Sequence, residues 1–534
     1  MYARFFRWAS DRLDINGDGI IAFITNRSFI SSRTFDGFRK TISKEFNDIW
    51  IVDLGGDVRL NPKLSGTKHN VFGIQIGVAI SFLVRKKGSK GCTIHYARRP
   101  EYETREDKLA FLGSTGIDRI DFEPVQLDRK NSLIDHQEND FEDLIAIADR
   151  QTMATSTRGQ DRAIFKLFSL GVSTNRDAWL YDRDRKNLAS KVRQLVDTYS
   201  KLPASTEEYS NTIKWSRNLK RRLRNGLKEP FDESRIVRAI YRPFSHLWLY
   251  QSPLFVDEMG RIDRLFLPGR TNRAICFTDP TAQKPWLACG VSAVPDLHFV
   301  GAAAGAVCVA RHTLGEDGIT LDNITDWALN KFRDRYQKGG ARRPITKDAI
   351  FHYVYAALHD PLYREKYALN LKKEFPRIPF HGDFWQWVEW GEKLMRLHVD
   401  YEDAEPFALT RVDKPDEKAR KARVAPSAML KSDKEKGIIT IDSETTLSGV
   451  PPIAWTYMLG NRCAIDWVLD QHKEKTLKDE TLKSTFDAYR FADHKESAIE
   501  LVSRVTTVSV HTMEIMQAMR GLARESSAGG DASD

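Results

Sequence analysis

Ile20-Ile21-Ala22-Phe23-Ile24, Ile49-Trp50-Ile51-Val52-Asp53-Leu54 and Ile74-Gln75-Ile76-Gly77-Val78-Ala79-Ile80-Ser81-Phe82-Leu83-Val84 are three apolar runs within the stretch Gly19 to Lys86. They are rich in β-branched and aromatic residues and too continuous for half-wet strands, so they predict strands buried on both faces of an α/β sheet. Between the first two, Phe35, Phe38, Ile42 and Phe46 recur at helical spacing. A loop punctuated by glycine and proline, Gly55 to Gly73, joins the second run to the third. The whole predicts a β-α-β-loop-β unit, the closing end of a doubly wound sheet. Upstream stands only a helix, Tyr2 to Leu13, with Phe5, Phe6, Ala9 and Leu13 on one face. The glycine-rich cofactor turn that follows the first strand of such sheets has no counterpart there. So small a unit makes a poor core alone, and the N-terminus reads as the middle of a domain.

Charge and cysteine usage bound the function classes. The 82 basic and 73 acidic residues give a net charge of +9 over 534 residues. That excess is mild, so contact with a polyanion must come from local clusters. Cys92, Cys276, Cys289, Cys308 and Cys463 have no metal-ligand spacing and read as reduced thiols of a cytoplasmic protein; no metal site is expected. Phe299 to Ala310, the longest later apolar run, is too short to span a bilayer, and no signal peptide opens the chain, so no membrane partner is expected. Asp14-Ile15-Asn16-Gly17-Asp18-Gly19 copies half of an EF-hand loop, but Thr25 stands at the twelfth position and a strand follows, so a helix-to-strand turn is the reading.

Further along, Lys214, Arg217, Lys220, Arg221, Arg222, Arg224 and Lys228 form a basic run with no acidic residue among them. Trp215 and Leu219 lie four apart on its apolar side. Two readings stand: a helix that grips phosphates by counterion release, and a solvated amphipathic helix. From Ile236 the texture turns to short strands and turns. Arg242, Arg261, Arg264 and Arg270 on that scaffold are candidates for reading guanine edges or for ordinary surface roles, whereas Tyr241, Phe244 and Trp248 read as core aromatics. Thr346 is placed to cap a helix through Leu358. Pro406 to Lys436 is charged and reads as a linker; two helices are expected at Ala454 to Gln471 and Lys495 to Met519, with a small, polar, disordered tail from Gly521.

Several motifs carry a resemblance. Asn26-Arg27-Ser28-Phe29, Asp53-Leu54-Gly55-Gly56 and His69-Asn70-Val71-Phe72-Gly73-Ile74-Gln75 resemble the late motifs of adenine-N6 DNA methyltransferases. More narrowly they resemble type ISP restriction-modification enzymes, as do Gly171 to Trp179, Asn323 to Phe332, Ile345 to Leu371, Pro376 to Phe380 and Leu397 to Glu402. The family's AdoMet-binding glycine motif and Asn-Pro-Pro-Tyr tetrad are absent, and Asn61-Pro62-Lys63-Leu64 is no substitute.

The resemblance implies an α/β plus α+β chain: the last strands of a doubly wound methyltransferase sheet (1–128), a helical connector with the basic run (129–228), a mixed target-recognition domain (229–405), a linker (406–436), a helical C-terminal part (437–520) and a tail (521–534). It implies double-stranded DNA as partner, together with an upstream methyltransferase and helicase-nuclease polypeptide. No catalytic residue and no cofactor are expected in this chain alone; AdoMet belongs to the complete enzyme. By the same resemblance Phe72 is a candidate to stack on the flipped target base, against the alternative of a Phe buried under its loop. Two functions are compatible with this: a split adenine-specific methyltransferase inactive alone, and a stand-alone DNA-binding module.

Overall fold

A computed structural model describes residues 2–13, 17–58, 66–128, 131–134, 139–155, 161–209, 211–266, 269–280, 284–301, 304–315, 317–337, 343–476, 479–486 and 489–528. Half of the EF-hand-like segment, Asp14 to Asn16, and the segment Asn61 to Leu64 lie outside these. The chain divides into two units, Met1–Asn139 and Asp140–Asp534.

In the first unit the order is α1 (Tyr2–Ser10), β1 (Gly19–Asn26), α2 (Ser28–Ser31), α3 (Asp36–Glu45), β2 (Asp48–Gly55), β3 (Val78–Arg85), β4 (Thr93–Arg98), α4 (Arg105–Ser114) and β5 (Glu123–Val125). One sheet forms, with strand order β1-β3-β2-β4-β5. β3 runs antiparallel to both β1 and β2, β2 and β4 are parallel, and β5 closes antiparallel on β4. The third apolar run is strand only from Val78, because Asn70 holds the residues before it in a loop: its amide donates to the Ile76 carbonyl at 2.7 Å. Burial on both faces holds for β2 but not for β1, where Ile20, Ala22 and Ile24 are exposed. β4, from Thr93, is not a sheet edge, since β5 covers it. Phe6 of α1 packs on Phe23, Phe29 and Phe38, sealing one face of the sheet with Ile21, Ile49, Ile51 and Leu83.

The second unit opens with β6 (Ile145–Ala146), α5 (Arg150–Thr155), β7 (Ser169–Leu170), α6 (Asp177–Leu180), β8 (Tyr181–Asp182), α7 (Arg185–Ser200) and α8 (Arg217–Arg224). Then come β9 (Ile236–Arg242), β10 (Ser245–Tyr250), β11 (Ala274–Thr278), β12 (Ala288–Val291), β13 (Val294–Pro295), β14 (Ala306–Ala310), β15 (His312–Leu314) and β16 (Thr320–Asp322). Two four-stranded sheets result, ordered β13-β9-β10-β8 and β12-β11-β14-β7. Their register brings Cys276 opposite both Cys289 and Cys308, three free buried thiols that are far apart in sequence.

Helices follow: α9 (Asp326–Tyr336), α10 (Lys347–Ala357), α11 (Pro361–Lys366) and α12 (Ala368–Lys373), then β17 (Arg377–Ile378) and α13 (Phe384–Val399). Thr346 caps α10 as the sequence predicts, its hydroxyl accepting from the Ala349 amide at 3.1 Å. Residues 406–436 are no linker. They supply β18 (Thr410–Asp413), α14 (Glu417–Ala422) and β19 (Ala428–Asp433), which join β20 (Ile438–Asp442) and β21 (Thr445–Ser448) in a sheet ordered β18-β21-β20-β19. Alternation hides the strands there: Leu430 is buried while its neighbours are wet.

A hairpin of β22 (Met458–Leu459) and β23 (Arg462–Cys463) turns at Gly460, φ +69°, so the helix expected from Ala454 begins only at Ala464. It is α15 (Ala464–Gln471), followed by α16 (Glu480–Thr485) and α17 (Lys495–Ala528). α17 continues beyond Gly521, where a disordered tail was expected, because Leu522 still packs on the core. One core runs from Leu167 to Val508, so connector, recognition and C-terminal segments share their packing.

Candidate nucleic-acid interface

The middle of the basic run, Arg217–Arg224, folds as α8, with Lys214 before it and Lys228 after it. Ser216 caps the helix, its hydroxyl accepting from the Leu219 amide at 3.1 Å, and Leu219 and Leu223 bury one side. The remaining cations divide by face. Arg222 is turned inward: its guanidinium donates to the carbonyls of Leu254, Val256 and Asp257 at 2.9–3.0 Å. Lys220 lies over the Tyr209 ring at 4.2 Å. Lys214, Arg217, Arg221, Arg224 and Lys228 are exposed, and none forms an ion pair among the described residues. Arg217, Arg221 and Arg224 recur at i, i+4, i+7 and so line one helical face.

A buried polar knot fixes that helix. Arg176 is fully buried; it donates to Asp257 at 2.9 Å, to the Ser216 hydroxyl at 2.7 Å and to the Phe255 carbonyl. Asn175, in the left-handed region at φ +53°, donates to the other Asp257 oxygen at 2.9 Å. Asp177 accepts from the Tyr241 hydroxyl at 2.9 Å. The Gly171 to Trp179 motif therefore builds the platform on which α8 sits. Sequence inspection missed this role for Arg176 and Asp257, which lie 81 positions apart.

The four later arginines separate likewise. Arg242 is tied to buried Asp296 at 2.8 Å and lies over the Tyr241 ring at 4.0 Å. Arg264 spends two donors on the Leu314 carbonyl at 3.0 and 3.1 Å. Arg261 is exposed, and exposed Arg270 reaches the Gly318 carbonyl at 2.8 Å. Arg273, not singled out by sequence, is exposed beside an open cavity of about 550 Å³ lined also by Asn272, Arg311, His312 and His352. Of the three aromatics read as core, Phe244 is buried while Tyr241 and Trp248 are half-buried against it.

In the first unit, Arg27 and Asp53 join two motifs. Arg27 Nε and Nη2 donate to the carboxylate at 2.7–3.0 Å, and the Tyr96 hydroxyl and Gly55 amide add 2.8 and 2.9 Å bonds. Burial alone would raise the Asp53 carboxyl; its Arg27, Gly55 and Tyr96 partners hold it below the ordinary range. Asn26 accepts from the Ser28 amide at 2.7 Å, and Phe29 is buried against Phe6. These residues hold the strand ends together.

Asn70 is buried and accepts from the amides of Phe72 and Ile74 at 3.0 and 3.4 Å. Buried Lys108 clamps the loop from beneath, its ammonium donating to the His69 carbonyl at 2.7 Å. On this pinned loop Val71 points inward and Phe72 outward, 58% exposed. Phe72 is thus not the buried residue of the alternative reading. Lys108 carries no signal in sequence, being 39 positions from the carbonyl it holds. The described residues contain no group of three or more His, Cys, Asp or Glu placed to hold a metal, and no helix long and apolar enough to cross a membrane.

Residues 163–501 match a family model described as the type ISP C-terminal specificity domain. Among solved structures, a DrdV–DNA complex determined by cryoEM is similar, at 39% identity and TM-score 0.87 over 97% of this chain and 52% of its own. A nuclease-deletion mutant of the type ISP restriction-modification enzyme LlaGI in complex with a DNA substrate mimic matches at 29% identity and TM-score 0.78, over 96% and 47%. The ATP-dependent type ISP enzyme LlaBIII bound to DNA shares the fold at 23% identity and TM-score 0.81, over 97% and 34%. The chain spans about half the length of the first two. A comparison with curated protein sequences finds no match.

Proposed function

The chain belongs to the family of type ISP C-terminal specificity domains, and from that premise we propose that it is the DNA-binding specificity portion of a restriction-modification system, joined to part of an adenine-N6 methyltransferase module. The carrying observation is the outward face of α8, where Arg217, Arg221 and Arg224 stand exposed without acidic partners on a buried platform, with exposed Lys214 just before the helix. Unpaired cations along one face suit a phosphate backbone, which gains affinity by releasing counterions. Arg261 and Arg270 are the best-placed of the four arginines to reach bases, Arg242 and Arg264 being committed to the fold.

Phe72 is offered to a flipped adenine, where stacking recovers part of the cost of leaving the duplex. AdoMet belongs in this reading to the complete enzyme, with the upstream polypeptide as partner. Gly56, just after β2, serves packing: a side chain there would collide with the His69 carbonyl. Duplex binding by the purified chain, followed by fluorescence anisotropy across a salt series, tests the reading. Affinity that is absent, or independent of salt, refutes it; affinity without methyl transfer after the upstream part is supplied leaves a stand-alone binding module.

A further inference from the structure

The open cavity of about 550 Å³ beside Arg273 gathers polar groups that the fold leaves idle. The entry of β11 and the exits of β12 and β14 meet there with the first turns of α10 and the end of α13. His312 and His352 both line it, and neither imidazole has a hydrogen-bond partner among the described residues. Asn272 bonds the backbone of His312 and leaves its ring alone. The hydroxyls of Thr271 and Ser292, also in the lining, are uncommitted as well among the described residues. Arg273 reaches only Asp400, at 3.5 Å and with both side chains exposed, a pairing that contributes little.

Charge decides what the cavity can take. Arg311 is committed, its Nε donating to Asp348 at 2.6 Å and its Nη1 to Asp322 at 2.7 Å. Arg273 and Arg311 balance Asp400 and Asp348 in the lining, so it is close to neutral while the imidazoles are uncharged. Burial holds both imidazoles below the ordinary histidine value. At His312 the Arg311 charge adds to burial, against Asp348 and Asp322. At His352 Glu392 and Asp348 oppose burial, Arg273 and Arg311. A metal cation fits poorly, since no three His, Cys, Asp or Glu among the described residues are placed to hold one. A stacked base fits poorly too, because Phe351 of the lining is buried. A tetrahedral dianion fits. Arg273 is free to turn from Asp400, and two neutral imidazoles can take two protons from solvent, matching its charge and becoming donors.

We propose that this cavity binds a phosphate group, with Arg273, His312 and His352 donating to its oxygens and the imidazoles protonating as it docks. Thr271 and Ser292 supply hydroxyls to the remaining oxygens. The group comes from a DNA backbone or from a free phosphate ester. The first source rests on the DNA-binding reading, since Thr271 to Arg273 continue the loop from Arg270; the second does not.

Calorimetric titration of the full chain with inorganic phosphate, at constant ionic strength, tests the site. Saturable binding is expected, weakened by roughly tenfold or more in Arg273→Gln, which removes one charged donor. Sulfate, a tetrahedral dianion that does not titrate near neutrality, isolates the protons. It should bind more tightly at pH 6 than at pH 8, and the double variant His312→Gln, His352→Gln should abolish that difference. Duplex anisotropy across a salt series separates the two sources. A slope made shallower by about 0.9 in Arg273→Gln assigns the phosphate to DNA, whereas an unchanged slope with lost phosphate binding assigns it to a free ester. Arg273→Gln that alters neither readout, or a pH dependence that survives the histidine variant, overturns the proposal. Saturable phosphate binding by a parent chain without duplex affinity sinks the functional reading and leaves this site standing.

Discussion

Replacing Arg217, Arg221 and Arg224 together by Ala removes three exposed charges from one face of α8 and touches no ion pair of the fold. If each neutralises one phosphate, the slope of log K against log salt becomes shallower by about 2.7, at about 0.9 per contact on B-form DNA. Between 50 and 200 mM salt, three such contacts amount to a roughly 40-fold change in affinity, which the variant no longer shows. The loss should be the same on every duplex, because phosphate contacts carry no base information. Arg222→Ala is the contrast: its guanidinium holds three carbonyls, so it should lower the melting temperature and leave the slope of the folded fraction nearly unchanged. Anisotropy titrations at five salt concentrations decide the matter. A triple variant with the parent's slope would make α8 a solvated face.

Phe72→Ala should leave stability within about 0.5 kcal/mol, as for other exposed positions, and duplex affinity nearly intact, while slowing methyl transfer once the upstream part is supplied; unchanged transfer would end the stacking role. Asn70→Ala strands the amides of Phe72 and Ile74 and should cost about 1–3 kcal/mol in chemical denaturation. Arg176→Met leaves Asp257 buried with weakened pairing and should cost roughly 3–5 kcal/mol, and a melt unchanged within error would refute the platform. Burial, with the Arg364 charge adding to it, pushes His398 down to about 3. The unfolded chain therefore takes its proton first: stability is whole above about pH 6.5 and falls toward pH 3 by about 1.4 kcal/mol per unit. Urea midpoints that stay constant from pH 7 to 4.5 would contradict this.

How much of this was legible beforehand depends on the range of the signal. The strands at Ile20 and Ile49, the cap at Thr346, the basic helix and the family motifs are local patterns, and local patterns are what a sequence records. Residues 406–436 defeated that reading because their strands keep only one residue in several buried, so composition resembled a linker. Chain order likewise could not reveal that β3 inserts between β1 and β2, leaving β1 at an open edge.

The cations show the same division at the scale of single side chains. Sequence by itself determined that seven positive charges would cluster without an acid among them. Only tertiary structure decided that Arg222 turns inward to three carbonyls while Arg217, Arg221 and Arg224 face solvent, and that Arg242 belongs to Asp296. Charge and spacing are properties of a segment. Which guanidinium is spent on the fold is set by carbonyls and carboxylates brought beside it from dozens of residues away, and chain folding alone determines those neighbours.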